Sequence, residues 1–324
     1  MRRHRWLMLL ALLVAALAVA GCGDDDDSSD SGSADTSAQS SSQIQMNDKN
    51  SSTTITMGSK NFTEQKVLGE IYAQALSAAG YTVKKDLNLG DEKTQFKAMQ
   101  NGDISAGPEY TGTALLSLFG VPADKLPRDP EKAYEEAKSG YAKKDMTALP
   151  RTPFTNSNEV AVTQETADKL GLKTISDLKG KSQDLTLYGT PECRQRLDCL
   201  LGLEQIYGLK FKKFVPVDPA LRHEVLSKGQ ADVSIVFTTD PQNKREHFVL
   251  LEDDKQMFPP YNVTLAVRND VIDKAGPDLA KAVEMVNKGL TDEVMQELNA
   301  RVDLDKKTPK EVASEYLQES GLTS

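Results

Sequence analysis

Histidine is scarce in this chain, with three in 324 residues, and one of them, His4, lies in the extreme N-terminal segment. That leaves His223 and His247 for any imidazole chemistry. His223 sits between Arg222 and Glu224 on a predicted helix, and His247 follows Lys244, Arg245 and Glu246. In such charged settings both read as solvated surface residues. The chain also lacks a G-x-S-x-G elbow, an H-E-x-x-H zinc helix, a G-x-x-x-x-G-K-[ST] phosphate loop and a G-x-G-x-x-G turn after its first strand. Together these absences count against an enzyme, and no cofactor or metal is expected. A hydrolase built on an unrecognised carboxylate is the rival from that class. Positive charge is in deficit as well, with 39 Lys and Arg against 48 Asp and Glu, a net charge of −9. Nucleic acid is therefore excluded as a partner. The only tryptophan is Trp6, and there are three cysteines.

What the chain does have begins with Arg2, Arg3 and Arg5, followed by an unbroken apolar run of fifteen residues, 6–20. That is the pattern of a secretory signal. It is shorter than the roughly 20 residues a membrane-crossing helix needs. Val19-Ala20-Gly21-Cys22 resembles a bacterial lipobox, which makes 1–22 a lipoprotein signal and Cys22 the lipid-bearing residue. Without the three arginines, the net charge becomes about −12 by the same counting. Residues 23–52 are Asp, Ser, Gln, Thr and Asn with little apolar content, too little to offset the entropy of ordering. They read as a solvated tether, and the run Asp24 to Asp27 lacks the spacing and turn glycine of a calcium loop. Cys193 and Cys199 remain as an even pair in an oxidising compartment, so a local disulfide is expected, against the alternative of two buried thiols.

About 270 residues follow the tether, enough for one large or two medium α/β domains. Strand and helix signals alternate: a β-branched strand at 53–57, a helix over 63–79, a strand at 81–85, a helix over 91–100 and a short strand at 104–106 running into Gly107-Pro108. This β-α-β-α-β pattern predicts a largely parallel sheet with helices on both faces. After a Pro-rich stretch carrying one helix, 130–143, a second series predicts strands at 159–163, 185–188, 211–217, 231–237 and 263–267. Its helices are predicted at 164–170, 200–207 and 220–228. The C-terminal part reads as helical, with Leu279, Val283, Val286 and Leu290 on one face, then helices at 292–301 and 309–319. No internal repeat is visible.

Gly58-Ser59-Lys60-Asn61-Phe62-Thr63-Glu64-Gln65 follows the first strand, and Glu109-Tyr110-Thr111-Gly112-Thr113 the third. Both strongly resemble the substrate-binding proteins of glycine betaine, choline and carnitine ABC importers. Phe237-Thr238-Thr239-Asp240, Leu251-Glu252-Asp253-Asp254-Lys255, Phe258-Pro259-Pro260-Tyr261 and Met295-Gln296-Glu297-Leu298-Asn299 continue the match in order, so that it covers 53–322. The resemblance implies a two-lobed, type II periplasmic-binding-protein fold of the α/β class. Lobe one would be 53–157 plus 262–324 and lobe two 158–261, with crossings near Asn158 and Tyr261. It further implies a monomer, held outside the cell membrane by its lipid, that captures a small osmolyte and passes it to an ABC permease.

A trimethylammonium group donates no hydrogen bond, so only electrostatics and dispersion hold it, and aromatic faces supply both. The resemblance places Tyr110, Phe237 and Tyr261 in such a box, Arg196 on the ligand's carboxylate, and Lys60 and Thr113 at further polar contacts. At Asn158 the family commonly carries another tyrosine of the box, so one wall is polar here and a different headgroup is admitted. Read from the residues alone, Phe237 ends a strand and belongs to the core, Tyr261 is a loop aromatic, and Lys60 and Arg196 are surface charges. Arg194, two residues from Arg196, competes for its role. The rival readings keep the fold with another ligand, an amino acid or carnitine-like compound, or make the cleft a sensor without transport.

Overall fold

The computed structural model describes residues 43–324. The expected signal, Cys22 and residues 23–42 of the expected tether lie outside the described residues.

The first sheet is built from β1 (Thr54–Gly58), β2 (Thr82–Asp86), β3 (Ala106–Tyr110) and β4 (Met146–Ala148), with β10 (Val263–Arg268) inserted between β3 and β4. Its helices are α1 (Thr63–Ala78), α2 (Glu92–Asn101), α3 (Thr111–Thr113) and α4 (Pro130–Ala142), followed late in the chain by α9 (Asn269–Ala275), α10 (Pro277–Gly289), α11 (Asp292–Asp303) and α12 (Pro309–Glu319). The second sheet comprises β5 (Asn158–Val162), β6 (Thr186–Gly189), β7 (Lys213–Pro216), β8 (Val233–Phe237) and β9 (Val249–Leu251), in the order β7-β6-β8-β5-β9. With it run α5 (Gln164–Leu170), α6 (Leu200–Gln205), α7 (Arg222–Ser227) and α8 (Pro241–Arg245). Each sheet has its own apolar core, so the architecture is two α/β lobes.

The helices form where apolar periodicity and end signals agree. Val67, Leu68, Ile71, Tyr72, Ala75 and Leu76 of α1 are all buried on one face, and Gly80, at φ 97°, turns the chain out of the helix. Asp91 caps α2 by accepting from Thr94 N at 2.8 Å, and Gly102 closes it at φ 86°. A side chain oxygen at the N-cap gives an otherwise orphan helix N–H its partner. Leu279, Val283, Val286 and Leu290 are buried together as their spacing requires.

Four expectations change. Both sheets are mixed rather than largely parallel: β1 is parallel to β2 and β3, but β10 is antiparallel to β3 and β4. In the second sheet β5 runs antiparallel to β8 and β9. β10 enters the first sheet on the chain's return from the second, and local crossover rules do not set its direction. The third strand begins at Ala106 and runs through Gly107-Pro108 to Tyr110, later than the residues 104–106 expected. Pro108 has no N–H to give. β1 pairs with β3 at Ala106, and the strand continues past Pro108 against β10. Asp48–Ser52, assigned to the tether, is a short 3-10 helix that Asn50 ties down by donating to Ala79 O at 2.8 Å. Finally, α7 is not a surface helix at its start: Arg222 and His223 are buried, because Asp240 provides both with an acidic partner.

Two segments join the lobes and lie side by side, with Thr155 bridging Asn262 and Asn156 N donating to Tyr261 O at 3.2 Å. No helix among the described residues is long and apolar enough to cross a membrane.

Candidate functional site

The strand ends place the polar and aromatic side chains. Lys60 follows β1, Tyr110 closes β3, the segment bearing Arg196 follows β6, and Phe237 closes β8. In open α/β sheets the crevice outside such strand ends is where ligands bind. Asn158 starts β5 opposite Phe237 in register, and Tyr261 stands on the strap leading to β10. All seven of Lys60, Tyr110, Thr113, Asn158, Arg196, Phe237 and Tyr261 line one cavity. Phe62, Glu92, Asn156 and Arg222 line it too, and were not singled out from the sequence.

Gly112 explains how the strap comes so near. A Cβ there would lie 2.8 Å from Pro260 O and 2.9 Å from Tyr261 Cε1, so only glycine admits this approach. Thr111 completes the contact, its hydroxyl donating to Pro260 O at 3.0 Å.

Four rings gather at the cavity. Phe62 stacks on Tyr110 with centroids 6.2 Å apart and meets Phe237 at 5.4 Å, tilted by 54°. Protein cations lie against two of them: Lys60 Nζ is 4.7 Å from the Tyr110 centroid, and Arg222 Cζ is 3.9 Å from that of Phe237. Lys60 is ion-paired with buried Glu109. Burial pushes the Glu109 carboxyl above its usual range, and Lys60 partly opposes this.

Arg196 is held inside a small loop. Cys193 and Cys199 are joined by a disulfide, and within it Arg196 N donates to Cys193 O at 3.3 Å and Cys199 N to Arg196 O at 3.2 Å. Two of the three guanidinium nitrogens are hydrogen-bonded, and the third meets a carboxylate at ion-pair distance. Nε donates to Asp198 Oδ1 at 2.8 Å, Nη2 to Asp198 Oδ2 at 2.6 Å, and Nη1 lies 3.5 Å from Glu92 Oε2. Asp198 also accepts from the Tyr261 hydroxyl and from Asn158 Nδ2 at 3.2 Å. Burial works against ionising Asp198, but the Arg196 charge outweighs it and holds the carboxyl below the ordinary aspartate range. Asn158 thus positions the arginine loop rather than simply leaving a gap where a ring would stand.

Arg222 lies at the start of α7. Its Nη2 donates to Asp240 Oδ1 at 2.6 Å and its Nε to Oδ2 at 3.1 Å, while His223 Nε2 lies 3.1 Å from Oδ2. His223 also stacks on Phe248 at 6.2 Å. Asp240 is buried, which disfavours its charge, yet Arg222 holds its carboxyl below the usual range. Beside the cavity, Glu64 accepts from Tyr110 Oη and Asn156 Nδ2 at 2.7 Å each, from Asn299 Nδ2 at 3.0 Å and from the Thr239 hydroxyl. Burial still raises its carboxyl above the ordinary range, with the four donors opposing.

Phe62 and Glu64 lie within the motif at 58–65, so a signal for both was present. Asn156, Asp198 and Arg222 carried none, because what marks them is a partner distant in sequence.

The family model for the substrate binding domain of ABC-type glycine betaine transport systems matches residues 53–319. The carnitine transport binding protein OpuCC of Listeria monocytogenes is 32% identical over 274 residues, covering 83% of this chain and 88% of that protein. A glycine-betaine-binding protein of Pseudomonas aeruginosa is 33% identical over 280 residues, with the same two coverages of 83% and 88%. A solved structure described as a glycine betaine/carnitine/choline ABC transporter superposes with a TM-score of 0.66 at 28% identity, covering 82% of this chain and 98% of that one. All of these descriptions are of binding or transport. With both lobes inside the matched span and the cavity between their strand ends, the chain belongs to the family of substrate-binding domains of ABC-type glycine betaine transport systems.

Proposed function

We propose that this protein captures a quaternary-ammonium osmolyte of the glycine betaine type between its lobes and delivers it to the permease of an ABC importer. The observation that supports this most directly is the gathering of Phe62, Tyr110, Phe237 and Tyr261 with fixed cationic donors on one cavity. Rings suit a cation that offers no hydrogen bond, at up to about 2 kcal/mol for each desolvated ring. Charged donors suit a carboxylate. The division of the chain at 158 and 261 makes the paired strap segments the hinge, and closure there would shut the ligand from water. The protein acts as a monomer outside the membrane, tethered through a lipidated Cys22.

Calorimetric titration with glycine betaine, choline, carnitine and proline tests the reading, since the single tryptophan, Trp6, falls in the expected signal and tryptophan fluorescence would not report on the mature protein. Micromolar binding of at least one of the three quaternary-ammonium compounds is expected. Tyr261→Ala should weaken it tenfold or more, about 1.4 kcal/mol per decade. No heat with any of the three overturns the ligand class. Incorporation of a labelled fatty acid that Cys22→Ala abolishes is the matching test of the tether.

A further inference from the structure

The two segments that join the lobes have two faces, and only one of them looks at the cleft. Asn156 and Asn158 of the first segment and Tyr261 of the second line the cleft cavity. Thr155 and Ser157, with Pro260 and Asn262, line a second cavity that shares no residue with it. Successive side chains of an extended chain point to opposite sides, so this alternation sets the two cavities back to back across the same pair of segments. Burial follows the same period: Phe154, Asn156 and Asn158 are buried, whereas Pro153, Thr155 and Ser157 keep contact with solvent. The outer cavity measures about 500 Å³, within the roughly 300–1,000 Å³ of small-molecule sites.

Both lobes wall it. Arg128, Arg151 and Pro153 come from the first lobe, and Asp253, Gln256 and Phe258 from the second. Phe258 packs against the apolar cores of both lobes, and Arg128 Nη1 reaches across to donate to Phe258 O at 3.2 Å. Four prolines and Phe258 make much of the wall apolar. Its charge is mainly positive. Arg151 is ion-paired with Glu131, whose side chain is 63% exposed, and such pairs are weak. Asp253, the one carboxylate on that wall among the described residues, already accepts from Met257 N, Phe258 N and the Tyr207 hydroxyl. Guanidinium groups beside apolar surface suit an anion with an apolar body.

We propose that this outer cavity is a second binding site, for a small organic anion with an apolar body, and that its occupant steadies the closed lobes and so tightens the hold on cargo. This rests on the hinge assigned above and not on which osmolyte is carried. In this structure the lobes meet across the cleft, where the Thr239 hydroxyl donates to Glu64, and the outer cavity has its walls in place at the same time. Turning the lobes apart about the joining segments moves Arg151 and Phe258 relative to each other, so a molecule that touches both favours the closed arrangement. Linkage runs both ways: cargo must tighten the anion by the same factor.

The probe is para-fluorobenzoate, since fluorine NMR reads its binding to the full chain in mild detergent without protein background. Saturable binding is expected, weakened tenfold or more in Arg128→Gln combined with Arg151→Gln. Pro153→Glu, which sets a like charge on an exposed part of the wall and keeps both arginines, should weaken it as well. Saturating glycine betaine should tighten the probe threefold or more, and the probe should tighten glycine betaine by the same factor in calorimetry. Acetate, with the charge but no apolar body, should do neither. No saturable binding, or binding that survives both variants in protein that thermal unfolding shows to be folded, overturns the site. Binding without linkage overturns the coupling. A probe that glycine betaine displaces sits in the cleft, which overturns the proposal too. If wild type binds none of glycine betaine, choline and carnitine, the osmolyte reading fails, whereas the loss of the probe in the two variants still decides the outer site.

Discussion

Arg196–Asp198 and Arg222–Asp240 are the same chemical pair set in two different frames. The first closes within one disulfide-bound loop, its partners two residues apart, and its aspartate is shared with Tyr261 and Asn158. The second spans a helix start and the turn after a strand, eighteen residues apart, and leaves a donor unused. A local pair whose aspartate is shared ties its loop to other elements, whereas a pair that leaves a buried donor without a partner gives back part of the stability it supplies.

Removing each aspartate is the sharpest way to test that contrast. Asp198→Ala should destabilise the protein by about 3–5 kcal/mol in chemical denaturation, since it strands a buried arginine. It should cost more than Asp240→Ala, because Asp198 is fully enclosed whereas Asp240 keeps some contact with solvent. Equal costs would erase the distinction. Acidity probes the same pairs. Both aspartates are held below their ordinary range by their arginines, against burial. Their contribution is therefore complete above the unfolded value of about 3.9 and is lost as the pH falls through the lowered native values. Asp198→Asn should flatten the acid limb of the stability curve below about pH 4, measured as midpoints of unfolding against pH. Next in size is the staple: Cys193→Ser with Cys199→Ser should cost about 2 kcal/mol by the loop-entropy estimate. It should also loosen Arg196 but leave Arg222 undisturbed, which hydrogen exchange of the two segments would separate. The smallest change is Asn158→Ala, about 1 kcal/mol for lost hydrogen bonds to Asp198.

The alternation of strand and helix was legible because each element carried its own periodicity over enough residues to register. β4 and β9 escaped notice, since three residues hold too little of a period of two. So did the seven-residue α9, which directly follows β10. At the site, Lys60 and Tyr110 stood out inside contiguous motifs. Phe62 lay between Lys60 and Thr63 in one of them and was passed over. Arg222 could not be recognised from its neighbours: beside His223 and Glu224 it looks like any solvated helix face, and only the folded chain brings Asp240 and Phe237 to it. The same holds for Asp198, whose bond to Tyr261 joins residues 63 apart.

Glu64 gathers donors from the end of β3, the strap, the turn after β8 and α11, so it takes hydrogen bonds from both halves of the cleft at once. Gln242 and Asp303, at 3.0 Å, add a second tie between α8 and α11. Bonds of this kind exist only when the halves meet, and their free energy enters every measured dissociation constant alongside that of the cargo's own contacts. Affinity in such a machine can thus be tuned from outside the cavity: substitution at Thr239 or Asn299 would change how firmly cargo is held while altering nothing that cargo touches.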